Sequence, residues 1–407
     1  MSGDDVRFTR RTLRYGSAGE AGLAAEHVRA VVPHAAAYLE PSSGHPLYAG
    51  AVVLAARRGV IVAHRAVGHA LRYASYDQVH DRAVELPRAE WAPMREDTVF
   101  DLASVTKLFT AIAVVAQAEA GRLDLDRPVA SYLPEFAEHG KRDVTARQLL
   151  AHTSGLSAWL PLYRDYDTPG ERIQAVYGIE PAAGAGRAYE YSDLNLIMLG
   201  ELVEKVTGRA LDEVVRSHIT APLAMSSTTF NPPQALRERI AATEYQPWTA
   251  RGMVRGSVHD ENALGGVAGH AGLFSTAHDL AVLAQAILGG GRYGQARILS
   301  EDSVRALLTN VNAAFHRDEH GLGFELNQHW YMDAMASPVT AGHTGYTGTS
   351  LVIDPLSESF AILLSNRVHP TRAWGSNNPA RRAVARDLAL AVPAEPANGR
   401  TGWRTEG

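Results

Sequence analysis

Apolar residues gather into strand-like runs near both ends of the chain and into helix-like stripes between them. Residues 51–56 (AVVLAA) and 60–67 (VIVAHRAV) are short apolar runs typical of buried strands. Arg57, Arg58 and Gly59 between them suit a hairpin turn. Residues 69–98 are mixed and charged and read as loop. Leu108, Ile112, Val115 and Ala116 then recur at helical spacing, predicting a helix over 105–120 that ends at Gly121. Residues 122–260 carry Pro and Gly punctuation, short helices and loops. The clearest helix there runs from about Leu194 to Thr207 and stops at Gly208. Another starts near Thr276, where Thr276 and Asp279 form a capping-box-like pair, and ends at Gly289–Gly291. Ser350–Asp354 and Phe360–Ser365 read as strands around a Pro355 turn, and a last helix runs from Pro379 to about Ala391.

Strands at both ends with helices between them predict an α/β fold. The antiparallel sheet is expected from about 48–68 and 343–366, flanked by helices, with a helical lobe over about 122–260 and the site between them. A polar amino-terminal segment is expected over 1–22, ragged over 1–20, with one domain covering 23–391 and a disordered tail over 392–407.

Composition narrows the function classes. With 46% hydrophobic and 20% charged residues, the chain is an ordinary globular protein. A formal net charge of -5 gives no overall attraction to nucleic acid or to an anionic membrane. The absence of cysteine excludes disulfides, thiolate catalysis and cysteine-based metal sites. Residues 1–22 lack the apolar core of a signal peptide, and the apolar stretch after Lys107 is interrupted by Thr110 and Gln117. A cytoplasmic location is the expectation; no oligomeric interface is specified.

Three short motifs carry chemistry. Ser104-Val105-Thr106-Lys107 places a hydroxyl and an amine three residues apart, on one face of a helix. A serine becomes a useful nucleophile when a neighbour takes its proton, and its own N–H at a helix start can face a reacting carbonyl. An N-cap serine with a snorkelling lysine gives the same pattern. Tyr191-Ser192-Asp193 stands just before the helix from Leu194; a phenol near a lysine can shuttle protons, whereas a packed tyrosine with Asp193 as N-cap is the structural alternative. His343-Thr344-Gly345-Tyr346 leads into a strand. Gly345 permits close backbone approach, and the Tyr346 N–H can serve as a second oxyanion donor; a glycine-rich turn is the plainer alternative.

In this order and context the three motifs resemble those of the serine β-lactamase and DD-peptidase (penicillin-binding) family, especially its class C-like esterase branch and its low-molecular-mass penicillin-binding branch. Phe100–Ala103, Leu123–Val129, Leu149–Leu156, Gly269–Thr276 and Ile353–Pro355 are similar to that family too, and the resemblance spans about residues 48–390. It implies that Ser104 is acylated, that Lys107 and Tyr191 share the proton traffic, and that the Ser104 and Tyr346 amides form the oxyanion hole. Two positions depart from the family's commoner pattern. His343 stands where many members have lysine, so a fixed charge for a substrate carboxylate is replaced by a mostly neutral ring. Asp193 stands where many have asparagine; it accepts but cannot donate when ionised, and it can hold Lys107 charged.

Other patterns carry less. His316-Arg317-Asp318-Glu319-His320 matches a zinc-peptidase spacing but reads as loop, and Gly289–Gly294 matches a dinucleotide motif but follows a helix. His259-Asp260-Glu261-Asn262 and His270 are candidates to line the substrate site, against a solvated loop; His152 reads as a turn brace; Asn366-Arg367 reads either as an anion site or as a strand end. No cofactor and no metal are expected. The expected function is hydrolysis of a small ester, amide or peptide-like substrate through an acyl-serine, with weak action on β-lactams. The alternatives are acyl transfer to an amine or alcohol and, in another class, a non-catalytic binding or sensor module.

Overall fold

The computed structural model describes residues 6–41 and 44–393. Its main sheet is built from both ends of the chain: β1 (Arg14–Tyr15), β2 (Gly50–Arg57), β3 (Val60–Leu71), β4 (Ala92–Pro93), β5 (Glu325–Leu326), β6 (Ala341–Thr344), β7 (Thr349–Asp354) and β8 (Ser359–Ser365). The spatial order is β1-β3-β2-β8-β7-β6-β5, with β4 paired to β3. All neighbours are antiparallel except β1 and β3. The β2–β3 hairpin turns where expected, with Arg58 and Gly59 both left-handed at φ 50° and 77°.

Alternate residues of the central strands feed two cores. Val52, Leu54, Ile353, Phe360 and Ile362 face the helical lobe. Val53, Ala55, Val352, Ala361 and Leu363 face α1 (Ala25–Ala36) and α5 (Asn378–Ala391). Burial on both faces explains why these strands read as continuous apolar runs. On the inner side lie α2 (Thr106–Glu119), α3 (Asp193–Thr207) and α4 (Ala277–Leu288). Helix α2 is buried on nearly every side, as an all-round apolar helix must be. No helix among the described residues is long and apolar enough to cross a membrane.

Several local expectations change. Residues 69–98 are not simply loop: β3 runs to Leu71, Tyr73–Asp77 pairs with Arg82–Glu85, and β4 joins β3. These short strands are charged and largely outside the cores, so they show no apolar alternation. The amino-terminal segment is not ragged where it is described. Val6 is buried in the inner core, β1 pairs in register with Val60–Ile61, and Thr9 N–H donates to the Leu288 carbonyl at 3.2 Å. Residues 1–5 and the expected tail beyond residue 393 lie outside the described residues. Thr276 caps α4 by accepting from the Asp279 N–H, but the Asp279 carboxylate does not reach back; it accepts from the Thr228 hydroxyl and the Ser227 N–H instead.

Candidate active site

Ser104 is set by a tight turn between a strand and a helix. Phe100–Asp101 pairs with Leu273–Ser275, which in turn pairs with Thr229–Phe230. The chain then passes through a 3₁₀ turn, Ala103–Val105, into α2, so the regular helix begins at Thr106 rather than at 105. Ala103 is left-handed at φ 46°, and its N–H donates to Asp101 Oδ1 at 2.8 Å. That conformation costs an L-residue roughly 1–2 kcal/mol, so the surrounding contacts hold it. Thr106 Oγ1 accepts from the Leu273 N–H, and the Thr110 hydroxyl donates to the Gly269 carbonyl at 2.7 Å. Gly269 is squeezed against α3: a Cβ there would lie 1.9 Å from the Leu196 carbonyl oxygen. Gly269→Ala is therefore expected to lower stability by about 1–3 kcal/mol, read as a reduced denaturant midpoint with unchanged slope.

Lys107 is only 1% exposed and lies at the meeting point of the expected residues. Its Nζ donates to Ser104 Oγ at 2.9 Å and to the His270 carbonyl at 3.2 Å. It lies 2.7 Å from Asp193 Oδ1, in ion-pair contact but off hydrogen-bond geometry, and 5.0 Å from the Tyr191 ring centre. Asp193 is the first residue of α3, with Ser192 at the N-cap, so Asp193 is not the cap. Burial disfavours the Lys107 ammonium, but Asp193 and Tyr191 outweigh it and raise its pKa above the usual lysine value. Burial pushes the Tyr191 phenol up to about 12, against the opposing pull of Lys107; Asp193 pushes the same way as burial. At rest the pair is thus an ammonium beside a neutral phenol.

The His343–Tyr346 segment is stitched to the residues just before Ser104. The Thr347 hydroxyl donates to the Asp101 carbonyl at 2.7 Å, and that of Thr349 to the Leu102 carbonyl at 2.9 Å. A Cβ on Gly345 would fall 2.3 Å from the Leu102 oxygen, so only glycine permits this approach. Arg381, buried on α5, donates from Nη2 to the Gly345 and Thr349 carbonyls at 2.7 and 3.0 Å. Tyr346 remains 48% exposed, with its carbonyl accepting from Arg367 Nε at 2.9 Å. His343 is buried, its ring 6.0 Å from that of Tyr191. Its Nδ1 lies 2.7 Å from the Thr344 carbonyl, which makes Nδ1 the donor. Burial, then Lys107, depresses its pKa well below the usual value, so it is neutral.

The structure thus brings Ser104, Lys107, Tyr191 and Asp193 together, with His343 behind Tyr191 and Thr344, Gly345 and Tyr346 alongside. His270 contributes its carbonyl to Lys107, and its side chain faces Asp260, Nε2 to Oδ2 3.6 Å. The rest of the 259–262 stretch is tied into the protein: His259 to Glu244, Glu261 to Arg372 and Trp248, Asn262 to Leu160 and Tyr163. Asn366–Arg367 is a brace rather than an open anion site. Asn366 is buried, donating to the His69 carbonyl and accepting from the Gly50 N–H, and Arg367 is spent on Tyr346 and Gly375. His152 braces a turn, as expected, and does more: its Nδ1 accepts from the Ser192 N–H at 3.0 Å, and its ring packs 4.8 Å from Tyr191. The zinc-peptidase-like stretch lies in turns; His320 is buried against His152 with ring centres 5.1 Å apart. Arg381, Thr347 and Thr349 carried no local signal, because their partners are distant in sequence. Beside Tyr346, Arg372 borders an open cleft of ≈ 470 Å³ also lined by Tyr163, Trp248 and Glu261.

A sheet from both chain ends, a helical lobe, and a buried lysine on a helix-start serine define the class of active-site serine enzymes with a β-lactamase/transpeptidase-like fold. The family described as "Beta-lactamase" matches residues 36–386. A protein of Escherichia coli (strain K12) named "Putative D-alanyl-D-alanine carboxypeptidase" is 35% identical over 322 residues, covering 69% of this chain and 72% of its own. One of the same name from Escherichia coli O157:H7 is 34% identical over 372 residues, covering 82% and 81%. Among solved structures, a penicillin-binding protein homologue from Caulobacter crescentus superposes with TM-score 0.69 at 22% identity, covering 91% of this chain and 99% of its own. EstCE1, described as a hydrolase with promiscuous acyltransferase activity, does so with TM-score 0.67 at 21% identity, covering 90% and 98%. The chain belongs to the β-lactamase family and is a serine hydrolase of that family.

Proposed function

We propose that the protein cleaves a small ester, amide or peptide-like substrate through an acyl-Ser104 intermediate. The observation that carries this reading is the buried Lys107 ammonium bonded to Ser104 Oγ at 2.9 Å and packed against Tyr191. Ser104 Oγ attacks the carbonyl carbon, and its proton passes to the Lys107–Tyr191 pair. The Ser104 and Tyr346 amides receive the oxyanion, and the pair returns the proton to the leaving group. Water then repeats the sequence on the acyl-serine. The pair rests with both protons, so it must release one before it can act as base. The rate is expected to rise with pH through one apparent pKa that belongs to the pair.

Neutral His343 supports substrates without a free carboxylate next to the scissile bond, and the commitments of Arg367 and Arg372 support the same preference. Transfer of the acyl group to an amine or alcohol is the second reading, supported by the likeness to EstCE1, described as a hydrolase with promiscuous acyltransferase activity. A non-catalytic sensor is disfavoured by the intact Ser104–Lys107 contact. The test is pre-steady-state release of nitrophenol from nitrophenyl esters. One equivalent released per chain before the steady state supports an acyl-enzyme; a linear time course unaffected by Ser104→Ala contradicts it. Added amines or alcohols that divert product from the acid support transfer.

Asp193→Asn separates the charge effects. Asp193 raises the pKa of both Lys107 and Tyr191. Its neutralisation makes the pair lose a proton more easily, so the rising limb of the pH–rate profile moves to lower pH. A profile unmoved, or moved to higher pH, contradicts this electrostatic role.

A further inference from the structure

Beside Lys107 lies a set of side chains that acyl transfer does not use in full. Asp193, Asp260 and His270 each offer one ligand-type atom, and these atoms lie within 4.8 Å of one another. His270 is 1% exposed, yet neither ring nitrogen has a hydrogen-bond partner. A buried polar group left unpaired is unfavourable and calls for a partner. His270 Nε2 stands 3.6 Å from Asp260 Oδ2, too far for a hydrogen bond. In a tetrahedral shell with ligand bonds of about 2.0–2.2 Å the donor atoms stand roughly 3.3–3.6 Å apart, so these side chains complete a shell by closing in by about 1 Å.

The three groups are held in place from outside the cluster. The His270 backbone is tied to Lys107, and its neighbour Gly269 to Thr110. Asp260 Oδ1 accepts from the Asn262 N–H at 2.7 Å, and Asp193 begins α3. Asp193 is in ion-pair contact with Lys107, whereas Asp260 faces the His270 ring and lies in the field of Arg251. We infer that Asp193, Asp260 and His270 form a divalent-metal site of the zinc type next to Ser104. It has three protein ligands and a fourth position for water or a substrate atom. An imidazole with two carboxylates suits zinc better than calcium or magnesium, which prefer oxygen alone.

The site is tested by binding, so its outcome is separate from that of the acyl-serine reading. The full chain is stripped with a chelator, titrated with zinc by calorimetry, and assayed for metal content. One zinc per chain is expected in the native protein and in Ser104→Ala. Binding is expected to weaken about 10-fold or more in His270→Ala and in Asp260→Asn. Asp260 is 24% exposed at its side chain, so Asp260→Asn carries the test if His270→Ala fails to fold. Absence of stoichiometric zinc, or native affinity in a folded Asp260→Asn variant, overturns the site.

Discussion

Ser104→Ala is expected to lose roughly 10⁴-fold or more in kcat/KM towards activated esters, with little change in stability. Removing the nucleophile from a serine hydrolase costs losses of about this order and larger, because no other group can form the acyl intermediate. Ser104 is half-buried, and its hydroxyl is bonded to Lys107 rather than built into the hydrophobic core. The variant is therefore expected to unfold at a denaturant midpoint close to that of the native protein. Residual activity within tenfold of native would remove Ser104 from the chemistry.

Lys107→Met is expected to cost nearly as much activity and, unlike Ser104→Ala, to cost stability. Without the amine the Ser104 proton has one partner fewer, and general-base assistance typically contributes about 10²–10⁴-fold. Lys107 is buried and Asp193 is 19% exposed at its side chain. Removing one partner of a buried pair strands the other charge, at a cost of roughly 3–5 kcal/mol. Partial hydration of Asp193 places this pair at the low end of that range. Adding Asp193→Asn to Lys107→Met removes the stranded charge, so the double variant is expected to be more stable than Lys107→Met alone. Additive destabilisation in the double variant would show that the two side chains do not act as a pair. Activity is expected to stay low in both, which separates the chemical effect from the structural one.

The parts legible in the sequence were those with a short-range signature. Continuous apolar runs marked β2, β7 and β8, because strands buried on both faces need no alternation. Ser104 with Lys107 reads directly as one helical turn. Tyr191 and His343 became specific only through their order along the chain, and the fold brings both to Lys107. Less legible were features whose partners lie far away. Arg381 looks like one more basic residue on a terminal helix, yet its guanidinium is buried against the Gly345 and Thr349 carbonyls. Arg367 looks like an exposed anion receptor because nothing nearby in sequence predicts its contact with the Tyr346 carbonyl. The amino-terminal segment misled for a similar reason: β1 gains its order only by pairing with β3. Asp193, read by its type as either an N-cap or a partner of Lys107, proves to be the partner.

The most direct measurement is the intact mass of the protein after brief exposure to a panel of activated esters, lactams and D-amino-acid amides, followed by peptide mapping. A single added acyl group on the peptide bearing Ser104 is predicted, formed fastest with substrates lacking a free carboxylate beside the scissile bond and absent in Ser104→Ala. An acyl group on any other residue, or turnover of the same substrates with equal efficiency by Ser104→Ala, would contradict the account.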